Sequence, residues 1–64
     1  MSIDEFRERV IALMISTYAL GYDEAEIRAA ADEYDSFIKE AYNHYYGIDY
    51  GIRYAADNIS MLCF

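Results

Sequence analysis

YNHYYGIDYGIRY, residues 42–54, decides the fold of this 64-residue chain. A helix running on through Gly47 and Gly51 would be very long, and its last apolar stripe would have no partner within the chain. A helix stopping at Gly47 lets the chain fold back into a bundle. Two glycines in a helix interior cost about 1 kcal/mol each relative to alanine, which favours the stop. Gly47 then ends one helix, and Ile48 folds back onto Tyr42. Asp49 caps a last helix that turns Ile52, Ala55, Ala56, Ile59, Leu62 and Cys63 inward.

Upstream, two start signals with a stop between them define a helical hairpin. Ser2-Ile3-Asp4-Glu5 is a capping box, with Met1 and Phe6 at the staple positions. Ile3, Phe6, Val10, Leu13, Met14, Thr17 and Tyr18 then recur at helical spacing, and Gly21 supplies a left-handed stop. Asp23-Glu24-Ala25-Glu26 repeats the box, with Tyr22 and Ile27 as its staple. The second inward stripe runs Ile27, Ala30, Ala31, Tyr34, Phe37, Ile38, Ala41, Tyr42, Tyr45. The sequence therefore predicts a single all-α domain over residues 1–64, a small three-helix bundle with helices at about 3–20, 24–46 and 50–62.

Composition narrows the function. Apolar residues make up 56% of the chain, enough for a core, but a domain this small is only marginally stable. With one cysteine, Cys63, it has no internal disulfide, and with one histidine, His44, it has no metal cage. Helix packing and self-association remain as sources of stability. Twelve acids against five bases give a net charge of −7. Phosphate backbones and anionic membranes both select cationic surfaces, so direct nucleic-acid or membrane binding is not expected. The first ten residues carry acids where a secretory signal carries bases, and Val10–Leu20 is too short to span a bilayer. A lone thiol suits a reducing compartment, so the chain reads as cytoplasmic.

The same survey predicts no catalytic residue, cofactor or metal. Nucleophilic catalysis needs a nucleophile, a base and an orienting group in contact. His44 and Cys63 sit in no motif that joins them. The neighbouring acids Asp4-Glu5, Asp23-Glu24 and Asp32-Glu33 diverge around their helices and share no substrate.

The surface carries more information. Residues 23–40 hold seven acids and two bases. Glu26, Glu33 and Glu40 recur every seven residues as one acidic ridge that His44 continues. Asp32 and Asp35 lie on the other flank with Arg28 and Lys39, at spacings that suit i,i+4 pairs. Tyr46, Tyr50 and Tyr54 cluster toward solvent near the turn; tyrosine is favoured where one end of a side chain is apolar and the other wet. These eight residues, Glu26, Glu33, Glu40, Asp32, Asp35, Tyr46, Tyr50 and Tyr54, form the expected partner surface. The expected partner is a larger protein with a basic, nucleic-acid-binding groove. Small phage-encoded inhibitors, anti-CRISPR proteins among them, resemble this chain in length, acidity and lack of catalytic motifs, and no residue is carried over from them. The alternative is a self-associating structural protein whose acidity serves solubility. Its homodimer contact would use the apolar far side of helix one, at Ala12, Ile15, Ser16 and Ala19.

Overall fold

The computed structural model describes residues 1–44 and 48–64. Among the described residues all regular structure is helical: α1 (Ile3–Leu13), α2 (Glu24–Glu33), α3 (Asp35–His44) and α4 (Ile48–Cys63). A π-helical turn, Met14–Tyr18, extends α1. The all-helical expectation holds, and the expected count of three is corrected to four because the 24–46 helix is two.

The chain breaks at Tyr34, whose backbone leaves helical geometry at φ −107° and ψ 34°. Its amide still donates to the Ala30 carbonyl at 3.0 Å, and its carbonyl accepts from the Phe37 amide at 3.0 Å. Asp35 then opens α3, an acid at the positive end of a new helix dipole.

α1 begins with one half of its capping box: the Ser2 hydroxyl accepts from the Glu5 amide at 3.2 Å, and among the described residues no return bond joins the Ser2 amide to the Glu5 carboxylate. Its far end departs from the expected 3–20 helix. The Ala19 amide donates to the Met14 carbonyl at 2.7 Å, five residues back rather than four. The extra residue in the turn shifts everything after it by about 100° around the axis. Ala19, expected on the outer side, is buried, while Thr17 and Tyr18, expected inward, are exposed. Ile11, outside the expected stripe, is buried with Phe6, Val10 and Met14. Gly21 closes the segment as predicted, at φ +92°.

The second box is present only in outline. Asp23 occupies the N-cap with an extended backbone, but its carboxylate makes no capping hydrogen bond. The ring of Tyr22, the expected staple partner of Ile27, lies 4.3 Å from that of Phe64, which ties the chain's end to the α1–α2 turn.

α4 packs against both α3 and α1. Gly51 marks the closest approach: a Cβ placed there would lie 3.2 Å from the Ala41 carbonyl oxygen and 3.2 Å from the Phe6 ring. Residues ten apart in one continuous helix are separated by about 15 Å, so the chain does reverse direction between Ala41 and Gly51. The expected stop at Gly47, the position of Tyr45 and the Ile48–Tyr42 contact lie outside the described structure. α4 starts at Ile48, so Asp49 is a first-turn residue rather than the cap. Ile52, Ala55, Ala56 and Ile59 are buried as expected, but Leu62 is 56% exposed. Tyr42, expected in the core, sits at its edge: its ring meets Phe6 edge-on at 5.4 Å and its hydroxyl donates to the Met1 carbonyl.

Candidate functional site

Three of the five bases are engaged inside the molecule. Arg7 on α1 reaches Asp35 on α3 through Nε at 3.1 Å and Nη2 at 2.6 Å. Its Nη1 meets Asp4 at 3.1 Å. Lys39 closes on the other Asp35 oxygen at 3.3 Å. Arg28 on α2 grips both oxygens of Glu8 on α1, at 2.9 and 3.0 Å, and bonds Glu24 at 2.9 Å. Both Arg7 nitrogens share one Asp35 oxygen, whereas the Arg28–Glu8 pair is fork-to-fork and holds orientation as well as charge. The two arginines fasten α3 and α2 to α1.

Each pair shows in the acidity of its members. Hydrogen bonding from Arg7 holds the half-buried Asp35 carboxyl below its ordinary range, against the opposing effect of desolvation. Arg28 lowers Glu8 in the same way, and Arg28 itself is raised by Glu8 and Glu24. Of the i,i+4 spacings expected on this flank, Asp35–Lys39 is paired, but Arg28 pairs back to Glu24 and not forward to Asp32. Asp35 therefore leaves the expected partner surface: it is an internal clamp, only 27% exposed at its side chain.

What remains outward on α2 and α3 is acid. Glu26, Asp32, Glu33 and Glu40 are exposed, and none of them takes part in an ion pair among the described residues. His44 is exposed at the end of α3. The ridge is not one straight row, because the break at Tyr34 separates Glu26 and Glu33 from Glu40.

The tyrosines form a different surface. Tyr50 is 54% exposed, whereas Tyr54, expected to face solvent, is half-buried against the core. Both line a depression of about 240 Å³ completed by Tyr18, Arg53, Asp57 and Asn58. The Asn58 amide donates to the Tyr54 carbonyl at 2.8 Å, fastening one wall. No residue of α2 or α3 is among those that line it. The single surface expected from the sequence is thus two, and Tyr46 lies outside the described residues.

The expected self-association face is also rearranged. Ala12 and Ser16 line a shallow groove of about 570 Å³ between α1 and α4, with Arg9, Leu13, Asp49, Ile52 and Arg53. Ile15 is exposed but is not part of this lining. Ala19 is buried in the core and is not available to another chain. Arg9 and Arg53 are the functional candidates that the sequence reading missed. Glu5 and Asp49 each stand four residues before one of them, a spacing that suggests solvated i,i+4 pairs. Among the described residues neither arginine makes an ion pair.

The reactive side chains are few. Cys63 is half-buried, and its thiol is pushed up first by burial and then by the negative charge of Glu33. A raised thiol is a poor nucleophile at neutral pH. Among the described residues, no three His, Cys, Asp or Glu side chains are grouped to hold a metal ion. Among the same residues, no helix is long and apolar enough to cross a membrane. Comparison with protein-family models, with curated proteins and with solved structures finds no match for the chain.

Proposed function

We propose that this chain is a non-catalytic protein-binding module, an inhibitor or adaptor, that docks the acidic face of α2 and α3 on a basic surface of a larger protein. One observation carries the reading: Arg7, Arg28 and Lys39 are spent on internal pairs, while Glu26, Asp32, Glu33 and Glu40 stay exposed and unpaired among the described residues. Such a face steers a basic partner from a distance and rejects acidic ones. Where the partner's surface is a nucleic-acid groove, the carboxylates stand in for phosphates. Glu26 and Glu33 lie about 10.5 Å apart along α2 by helical rise, far sparser than the one charge per about 1.7 Å of duplex DNA. Fit to the groove must therefore supply part of the affinity.

The test is a capture experiment with immobilised protein. Wild type should retain a partner from lysate at low salt and release it as salt screens the face. The triple variant Glu26→Gln, Glu33→Gln, Glu40→Gln should keep its helical circular dichroism and retain about tenfold less. Equal retention by the variant, or retention indifferent to salt, would remove the acidic face from the contact.

A further inference from the structure

We infer that the α1–α4 groove is where a second copy of this chain docks, across a two-fold axis that sets Arg9 of each copy against Asp49 of the other. The inference is independent of the acidic-face reading, because the two surfaces share no residue.

Two molecules of net charge −7 repel, and they can meet only where the local charge is not negative. The groove is such a place. It holds Arg9 and Arg53, the two bases outside the ion pairs among the described residues, and only one acid, Asp49. A two-fold contact must be self-complementary, each patch meeting its own image. A surface carrying both signs satisfies that requirement twice over: Arg9 of one copy meets Asp49 of the other, and the reverse pair forms with it.

Shape agrees with charge. Ala12 and Ser16 are small and exposed, so two α1 helices can approach closely along them. Leu13 and Ile52 give the groove an apolar floor. The groove runs between two helices and is shallow, which suits the contact of a helix from a second copy. Size supplies the motive. A chain of 64 residues with a single cysteine has no disulfide to staple it, and association is a common remedy.

Light scattering and equilibrium sedimentation of the purified chain, from micromolar to millimolar concentration, test the inference. The apparent mass should rise from 7.4 kDa toward twice that value. Arg9→Glu and Asp49→Arg should each move the midpoint about tenfold higher in concentration, since each sets like charges against one another. The double variant should bring it back to within about threefold of wild type, because the pair is restored with its signs exchanged. Ala12→Glu, at an exposed helical position, should keep the fold by circular dichroism and abolish the dimer. A mass fixed at 7.4 kDa overturns the inference. So does a dimer indifferent to all these changes, a double variant no better than its parents, or a mass climbing past twofold. The Glu26, Glu33, Glu40→Gln variant should dimerise as wild type does, so that failure of one reading is not mistaken for failure of the other.

Discussion

Gly51 shows how much one missing side chain can decide. Its helical φ needs no glycine, and alanine there would gain about 1 kcal/mol of helix propensity. The obstacle is room: the added Cβ meets the Ala41 backbone and the Phe6 ring at 3.2 Å. Phe6 is buried and held edge-on by Tyr42, so it has little freedom to yield. Gly51→Ala should therefore lower stability by about 1 kcal/mol net, and Gly51→Val by more, as read from urea midpoints. The glycine spacing at 47–51 was visible in the sequence; which neighbour crowds it was not. Asp35 is the second deciding residue. Its folded acidity is stronger than its unfolded one, so the Arg7 clamp stabilises the fold fully above the ordinary carboxylate range, about 3.9. That contribution is lost as pH falls through this range and past the depressed folded value. Asp35→Asn should cost about 1–2 kcal/mol at neutral pH, and the gap from wild type should narrow as pH falls through and below the ordinary carboxylate range. Denaturation across that range measures it; a gap independent of pH would mean that Asp35 acts through packing alone. Nothing in the sequence separated Asp35 from Asp32, because the partner that distinguishes them is Arg7, 28 positions away.

At the scale of elements, starts and stops were legible and phase was not. The Ser2 cap rests on local chemistry and stands; Gly21 takes its left-handed φ but follows a helix already ended at Tyr18, and α2 starts at Glu24 without the Asp23 bond expected to cap it. The π turn and the Tyr34 break rest on fit between helices, and neither has a glycine or proline to announce it. Their consequences are large: Ala19 turns inward, and one expected helix becomes two. The π turn carries its own prediction. If Met14–Tyr18 holds one residue more than an α-helix needs, removing Ile15 should restore i,i+4 bonding with Ala19 still buried. That deletion should cost within about 1 kcal/mol of what its lost apolar contacts account for. Deleting Ala12 from the regular part of α1 should instead rotate Met14 out of the core and unfold the chain. Thermal denaturation of the two deletions distinguishes them, and equal damage from both would contradict the inserted-residue view. Leu62, expected in the core, is exposed and Ile11, outside the expected stripe, is buried; both lie outside the π turn, so its phase shift accounts for neither.

At the scale of the whole molecule, the distribution of charge matters more than its total. The chain is acidic by composition, yet its bases are unevenly employed. Two, Arg7 and Arg28, lock α1 to α3 and α2, Lys39 pairs within α3, and two stand over the α1–α4 groove. One flank is left anionic and another close to neutral, which sets the acidic docking face and the self-association groove apart. The sequence by itself determined the helical class, the two helix starts, the left-handed Gly21 and most of the buried stripe. These depend on periodicity and on hydrogen bonds spanning three or four residues, and such signals are written locally. Only the tertiary structure decided the number of helices, the turn that buries Ala19, the capture of Asp35 by Arg7, and the separation of the tyrosines from the acids. Each of those depends on how the helices pack against one another, and on which side chains distant in sequence that packing brings within a few ångströms.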